Sequence, residues 1–127
     1  MTNEEYGRYV DALAPRSKTG KNLLNAFWVG GLICAIAQAL LNGYQALGLD
    51  ETTAGAAVSI SLVLLSAILT GFAVYDDIAK FAGAGTLVPI TGFANAVVAP
   101  AIEFQTEGFV LGTAAKMFTI AGPVIVY

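Results

Sequence analysis

The sequence predicts an all-α integral membrane protein. Two stretches contain no Asp, Glu, Lys or Arg: residues 22–49, which number 28, and residues 52–75, which number 24. About 20 apolar residues, at a rise of about 1.5 Å each, span the hydrocarbon core of a bilayer. Charged residues make up only 12% of the chain, well below the share in an average soluble domain. We therefore expect residues 1–127 to form one membrane domain with spans at 22–49 and 52–75.

A polar segment, residues 1–21, precedes the first span and predicts a short amphipathic helix. Thr2 and Glu5 fit a capping box, in which each side chain accepts from the backbone of the other residue. Apolar residues fall on one face at helical spacing: Tyr6, Tyr9, Val10 and Leu13. Pro15 should end the helix. Because so short a helix is marginal alone, we expect it either to lie in the membrane interface or to be a frayed tail.

Basic residues predict the orientation of the spans. Four of them precede the first span: Arg8, Arg16, Lys18 and Lys21. The loop after that span carries only Asp50 and Glu51 as charged residues. Since an excess of Lys and Arg marks the cytoplasmic side, we predict a cytoplasmic N-terminus with Asp50 on the opposite side.

The first span carries small residues at every fourth position: Gly31, Ala35, Ala39 and Gly43. This spacing lets two helices approach closely. We therefore expect the stripe to pack against another helix, in this chain or in a neighbouring subunit. A polar face lies beside it: Gln38, Asn42 and Gln45. Amides in lipid need partners, so this face is either a helix–helix contact or a pore lining.

The second span contains four hydroxyl residues: Ser59, Ser61, Ser66 and Thr70. In a helix, such hydroxyls bond backward to carbonyl oxygens about one turn earlier. We expect all four to be satisfied within their own helix, which gives them no functional role.

The segment 81–102 is uncharged but makes a poor continuous helix. Helix-breaking residues crowd it: Gly83, Gly85, Pro89 and Gly92. Irregular backbone at membrane depth is tolerated only inside protein or along a cavity. We therefore expect a re-entrant pair of half-segments, with Thr91 capping the second; a broken helix that crosses is the alternative. Just before it, Asp76 and Lys80 fit an i, i+4 ion pair on a short interfacial helix.

This break is the candidate permeation element. Its residues are Gly83, Gly85, Thr86, Pro89, Thr91 and Gly92, with Asn95 one turn further on. Half-helix ends present unpaired N–H groups that favour a carboxylate, and neutral side-chain donors bind it weakly enough for release. Asp76 and Asp77 are candidates to contact an accompanying calcium ion. The plainer alternatives are close helix packing at the glycines and an ordinary acidic helix start.

The end of the chain adds a pair of acids and a short apolar run. Glu103 and Glu107 lie one helical turn apart, which predicts an exposed helix face. Residues 117–127 begin a further apolar run that is too short to span, so we expect a final membrane helix that is cut short. The chain has no His, a single Cys and no nucleotide-binding loop. We therefore predict no enzymatic activity, no cofactor, no metal site and no nucleic-acid partner.

Three segments carry a family resemblance: FWVGGLICAIAQ (residues 27–38), YDDIAKFAGAGTLVPITGFANAVVAPAIEF (75–104) and EGFVLGTAAKMFTIAGPVIVY (107–127). They resemble the stage V sporulation protein A family. The basic N-terminal extension is more similar to the AC branch than to the paralogous AE branch. Two departures stand out: SKTGKN is usually more Pro-rich, and the family continues through one more helix past Tyr127.

The resemblance implies a location and a function. Such proteins belong to endospore-forming bacteria and reside in the inner spore membrane. They are implicated in moving dipicolinic acid, as its calcium chelate, into the developing spore and out at germination, and the AC branch is associated with a mechanosensitive channel. The resemblance thus implies a channel or transport subunit that assembles, as a homo- or hetero-oligomer, with other stage V sporulation A membrane proteins in the lipid bilayer. The alternative is a scaffolding subunit whose partner carries the pathway.

Overall fold

The computed structural model describes residues 2–14 and 18–127, and within these ranges the chain is helical and has no strand. The helices are α1 (Asn3–Leu13), α2 (Thr19–Ala46), α3 (Glu51–Gly71), α4 (Val74–Ala82), α5 (Ala84–Leu87), α6 (Ile90–Glu103) and α7 (Ala115–Val126). A 3-10 turn (Gln105–Glu107) and a π-helical segment (Phe109–Ala114) connect α6 to α7. Three helical runs are long and apolar enough to cross a bilayer: Thr19–Ala46, Glu51–Gly71 and Phe109–Val126. The predicted all-α membrane class is confirmed.

The first helix begins with the predicted capping box. The backbone N–H of Glu5 donates to the Thr2 hydroxyl (3.3 Å), and the backbone N–H of Thr2 donates to the Glu5 carboxylate (2.8 Å). Every described residue of α1 is exposed. The predicted helix end at Pro15, and Arg16 with it, lie outside the described residues.

Both long helices differ from the predicted spans at their ends. α2 begins three residues before residue 22 and ends at Ala46, because Gly48 takes a left-handed φ of 93°. α3 ends at Gly71, so the prediction that the span runs to Tyr75 is wrong. The chain turns at Ala73, whose φ is 59°, and a left-handed residue there closes the last turn of a helix. Tyr75 consequently belongs to α4, where it is buried.

Three hydroxyls of α3 bond backward within their own helix, as predicted: those of Ser59, Ser61 and Thr70. Ser66 does not. Its hydroxyl donates to the carbonyl oxygen of Thr91 in α6 at 2.6 Å, and the residue is 1% exposed. The prediction for Ser66 is wrong because a second helix passes close enough to offer a carbonyl oxygen.

α6 packs along the second half of α3 and runs parallel to it. Ser66 bonds Thr91, and the Thr70 hydroxyl, which lies 2.8 Å from both the carbonyl oxygen of Ser66 and Oδ1 of Asn95, is positioned to donate to either. Both bonds join residues that are 25 positions apart, so the two helices advance together in the same direction. α6 therefore returns toward the end of the bundle at which α3 finishes.

The acids Glu103 and Glu107 lie in different elements of the connection from α6 to α7. Glu103 is the last residue of α6, whereas Glu107 ends the following 3-10 turn, so the two do not share one helix face. Gly108, with a φ of 104°, then turns the chain back. The last helical run begins at Phe109, eight residues before the predicted start at 117. It lies against the end of α6, where the Lys116 amine is 4.5 Å from the centre of the Phe104 ring.

Candidate functional site

The predicted break lies between α4 and α6. α5 is a single turn, and Pro89, with φ −65° and ψ 160°, is the N-cap residue of α6. Proline lacks an N–H and has a fixed φ, so it ends one helix and suits the start of the next. Because α6 begins at Ile90, the prediction that Thr91 caps it is wrong. Thr91 lies inside the first turn and is 6% exposed.

The two ends of this segment lie at the same end of the bundle. At its start, Nδ2 of Asn25, near the beginning of α2, donates to the carbonyl oxygen of Phe81 at 3.2 Å. Further along, Pro89 lines a groove with Cys34, deeper along α2. At its end, Glu103 lines a groove together with Asp76. From Phe81 to Pro89 the chain therefore runs beside α2, away from the end at which α2 begins. α6 then runs back beside α3 toward that same end.

Two glycines allow the backbones of this segment to touch. A Cβ on Gly85 would come within 2.9 Å of the Ala26 Cα and closer still to its carbonyl oxygen. A Cβ on Gly92 would meet the carbonyl oxygen of Leu87 at 2.8 Å, and that of Thr86 at a shorter distance. These atoms are backbone and cannot swing aside. Gly85 therefore allows α5 to pack directly against α2, and Gly92 allows the first turn of α6 to pack directly against α5.

The Tyr75 hydroxyl joins the two sides of the break. It lies 3.1 Å from the carbonyl oxygen of Thr86 and 3.1 Å from Oγ1 of Thr91, positioned to donate to either. Tyr75 and Thr86 are 4% and 2% exposed. The Thr86 hydroxyl in turn donates to the carbonyl oxygen of Gly83 at 3.0 Å. Both predicted threonine donors are therefore engaged inside the protein.

Sequence reasoning missed Tyr75, because it was counted as the end of a span. A signal was available: a tyrosine between an apolar run and a Gly/Pro-rich segment is a candidate to be buried, and a buried tyrosine hydroxyl requires a hydrogen-bond partner. The first hydroxyl side chains that follow Tyr75 in the sequence are those of Thr86 and Thr91.

A cavity of about 500 Å³ opens beside the break, between α4, α6 and α7. We call it the break cavity. Its lining residues are Tyr75, Ala79, Gly83, Thr86, Leu87, Gly92, Asn95, Ala96, Ala99, Pro100, Glu103 and Ile120. Four predicted permeation residues are among them: Gly83, Thr86, Gly92 and Asn95. The other three, Gly85, Pro89 and Thr91, face α2 or α3 instead.

The polar groups of the break cavity are few. Oδ1 of Asn95 faces the Thr70 hydroxyl at 2.8 Å, which leaves its amide N–H groups to donate to a bound molecule. Glu103, at the end of α6, supplies the one carboxylate among the lining residues. The first turn of α6 does not face open space, because the carbonyl oxygens of Thr86 and Leu87 lie against Gly92. Carbonyl oxygens there disfavour an anion at the helix start.

Asp76 and Asp77 lie on the exposed face of α4 beside Lys80. The Lys80 amine is 2.6 Å from the Asp76 carboxylate and 3.6 Å from that of Asp77, so the predicted i, i+4 pair is present. The hydrogen bond that Lys80 donates to Asp76 raises the pKa of Lys80 above its usual value, and the charge of Asp76 adds to this. A calcium ion at the two carboxylates would have to compete with this ammonium group. Among the described residues, Asp, Glu and Cys form no group of three placed to hold a metal ion.

The small-residue stripe of α2 faces away from the rest of the chain. Gly31, Ala35, Ala39 and Gly43 are exposed, and a Cβ at either glycine would meet nothing within 4 Å. The interpretation that the stripe packs inside this chain is wrong. The helices of the chain contact the opposite side of α2, for example at Gly30, which approaches Gly85. Beside the stripe, Gln38 donates to Asn42 at 2.9 Å, and this pair is exposed.

Comparison with known proteins decides the family. A family model described as "SpoVAC/SpoVAEB sporulation membrane protein" matches residues 22–127. The chain belongs to this family. The match covers α2 to α7 and includes the break, the break cavity and the stripe.

A SpoVAC relative is similar over the whole chain. Stage V sporulation protein AC of Bacillus subtilis (strain 168) is 49% identical over 130 residues, which cover 100% of this chain and 87% of the relative. The resemblance to the stage V sporulation protein A family is therefore confirmed, and this full-length relative is an AC protein. No solved structure matches the chain significantly.

Proposed function

We propose that the chain is a nonenzymatic channel or transport subunit that helps to move dipicolinic acid, as its calcium chelate, across the inner spore membrane in sporulation and germination. The family supports a sporulation role in a membrane. The observation that carries the transport role is the break cavity, which lies next to an interrupted helix between apolar helices. Its volume of about 500 Å³ falls in the range of small-molecule sites.

The cavity has the chemistry expected of a permeation element. Its lining is mainly apolar, with the amide of Asn95 as a neutral donor and the carboxylate of Glu103 at one end. A neutral calcium chelate suits this arrangement better than a free dianion, since Glu103 repels a dianion but is an oxygen ligand for calcium. Neutral donors bind a carboxylate weakly enough for it to leave.

The described conformation corresponds to a closed state in this proposal. The Tyr75 hydroxyl holds Thr86 and Thr91 together, and α5 covers the start of α6 at Gly92. Opening requires α5 to separate from α6, which would expose the N–H groups of the first turn to the permeant. Membrane tension is a suitable trigger, because it favours states with a larger area in the membrane plane.

A scaffolding role in a transport complex is the second candidate, and one observation favours it. No residue of α2 is buried within the chain, and the stripe with its neighbouring amides faces outward. A subunit with so much unpacked helix surface needs neighbours, and a neighbour can carry the pathway instead.

The test is release of trapped dipicolinate with calcium from liposomes that contain the purified chain, after osmotic downshock. We expect release by the wild type and its loss in Asn95→Leu, with assembly on native gels unchanged. Ser59→Ala is the matched control, because that hydroxyl bonds only the carbonyl of Gly55 in its own helix. Wild-type liposomes that release nothing would favour the scaffolding role. Release by Asn95→Leu at the wild-type rate would show that the break cavity is not part of the permeation pathway.

We further propose that residues 81–102 are re-entrant and that the N-terminus is cytoplasmic. The support is that residues 81–89 run beside α2 and α6 runs back beside α3, so that the segment starts and ends on one side. The basic residues before α2 support the cytoplasmic N-terminus. Single cysteines at Asn3, Asp50, Lys80 and Glu103, in a Cys34→Ser background, would be labelled with an impermeant maleimide from one side. We expect Asp50→Cys to react from the side opposite to the other three. Labelling of the Lys80 and Glu103 positions from opposite sides would contradict the re-entrant arrangement.

A further inference from the structure

Lys116 is the one charged residue of the apolar run Phe109–Val126, which is among the helical runs in the described structure that are long enough to cross a bilayer. It lies seven residues after the start of that run, so its Cα is about 10 Å from the start. A charged side chain at such a depth is costly, and it almost always faces the interior of the bundle or a water-filled cavity. The position of Lys116 therefore marks a candidate functional residue.

The face of the run on which Lys116 lies is turned toward α6. Gly112, Lys116 and Ile120 follow one another at intervals of four residues, so they share one face. A Cβ on Gly112 would meet the Glu107 Cβ at 3.0 Å and would run into the carbonyl oxygen of Phe104, so this face packs directly against the end of α6. Ile120, one turn beyond Lys116, lines the break cavity. Lys116 therefore lies between the contact with α6 and the cavity.

The Lys116 amine has an aromatic partner but no acidic one. It lies 4.5 Å from the centre of the Phe104 ring, and an aromatic ring attracts a cation without neutralising it. Among the described residues, the ion pairs are those of Lys80 with Asp76 and Asp77, and Lys116 makes no further interaction. Its positive charge can therefore pair with an anion that enters the cavity.

Glu103 supplies the opposite charge at the same end of the break cavity, which we call the mouth. It lines the cavity and directly precedes Phe104. Within the part of the chain that the structure describes, its carboxylate forms no ion pair, whereas the nearby carboxylate of Asp76 is held by Lys80. Two opposite charges that lie at one mouth without pairing suit a ligand that carries both signs.

We propose that Lys116 is the residue that recognises the anionic part of the permeant at the mouth of the break cavity. This inference rests on the proposed function and names its charge-selective group. The ammonium group binds a carboxylate oxygen of dipicolinate, and Glu103 is an oxygen ligand for the chelated calcium. The chelate satisfies both charges at once, whereas free dipicolinate is attracted by Lys116 and repelled by Glu103. The Phe104 ring holds the amine at the mouth.

The test is binding of dipicolinate, with and without calcium, to the full chain in detergent, measured by equilibrium dialysis, which requires no flux. Lys116→Met should weaken the binding of both forms between about tenfold and about a hundredfold, because a hydrogen bond between charged groups is lost. Lys116→Arg keeps the charge and should retain most of the binding. Lys21→Met removes a cation near the start of α2 and is the matched control, which should bind as the wild type does.

Glu103→Gln separates recognition by charge from a structural role, because it should weaken binding of the calcium chelate and strengthen binding of free dipicolinate. A change in the same direction for both forms would overturn the inference. So would wild-type affinity in Lys116→Met, or an equal loss in Lys116→Arg and Lys116→Met. In each of these cases, release of dipicolinate from wild-type liposomes would leave the proposed function in place. A wild type that binds neither form would overturn both.

Discussion

α2 and α3 are both long apolar helices, and each carries a stripe of residues spaced four apart, yet the two stripes meet opposite surroundings. In α3 the stripe is buried: Ala54, Val58, Leu62 and Ser66. In α2 the stripe is exposed: Gly31, Ala35, Ala39 and Gly43. α3 lies between α2 and α6, whereas α2 has helices of this chain on one side only. Spacing therefore identifies a packing surface but not the partner that covers it.

The contrast extends to polar groups. The hydroxyls and carbonyls around Tyr75, Ser66 and Thr91 are satisfied inside the chain, so this inner half is complete. The outer face of α2 carries exposed amides, two of which, Gln38 and Asn42, bond only each other, and amides at membrane depth call for partners. The inner half should respond to mutation through the stability of the single chain, and the outer face through assembly.

The largest expected effect is that of Gly92→Ala, compared with Gly43→Ala. At Gly92 the added methyl group meets the carbonyl oxygen of Leu87 at 2.8 Å and that of Thr86 at a shorter distance. The substitution should therefore lower the stability by an amount toward the upper end of about 1–3 kcal/mol. At Gly43 it meets nothing within 4 Å, so stability should be unchanged or slightly raised. Denaturation midpoints in detergent measure both. Equal midpoints for the two variants would contradict the close contact at the break.

Next in size is Tyr75→Phe. Loss of the hydroxyl leaves the buried Thr86 carbonyl and the Thr91 hydroxyl short of a partner, which should cost about 1–3 kcal/mol. Tyr44→Phe is the control from the outer helix. It removes a bond of 2.7 Å to the partly buried Ser61, and water can replace part of this bond, so the cost should be smaller. In liposomes, Tyr75→Phe should also raise dipicolinate release without downshock, because the closed arrangement loses its link; an unchanged basal leak would argue against this gate.

Ala39→Leu should leave the single chain as stable as the wild type but weaken its assembly, because a larger side chain holds neighbouring backbones apart. Ala35→Leu should act in the same way. Ala37→Leu is the matched control: Ala37 is half-buried on the side of α2 that faces the chain, so it should lower stability instead. Native gels and denaturation midpoints separate the two outcomes. Full assembly of both stripe variants would mean that lipid, not protein, covers this face.

The smallest effect concerns Asp50, the N-cap residue of α3. Hydrogen bonds from the side chain and the backbone of Thr53 hold its pKa below the usual value of 3.8. A depressed pKa in the folded state stabilises the fold above the unfolded-state pKa, and this contribution is lost as the pH falls through the folded-state pKa. The wild type should therefore lose slightly more stability between pH 6 and pH 3 than Asp50→Asn, which keeps a neutral cap. Identical pH profiles would show that the charge contributes nothing.

In and around the broken segment, the features that depend on neighbouring residues were predicted correctly. The interruption was predicted from Pro89 and its neighbouring glycines, because proline and glycine act on the backbone next to them. The ion pair of Asp76 with Lys80 and the capping box of Thr2 with Glu5 were predicted for the same reason, since their partners lie within one helical turn. The cap assigned to Thr91 was wrong, because α6 already begins at Ile90 and Thr91 lies inside its first turn.

The sequence by itself determined that this chain is a helical membrane protein, where its first two long apolar helices lie to within a few residues, and that one segment cannot be a continuous helix. These follow from hydropathy, charge and backbone preferences, which are properties of residues and their near neighbours. Only the tertiary structure decided that Ser66 bonds α6, that Tyr75 joins Thr86 to Thr91, and that the stripe of α2 faces outward. In lipid, one apolar side of a helix is as acceptable as another, so periodicity cannot select the packed side; close contacts and hydrogen bonds between distant residues select it.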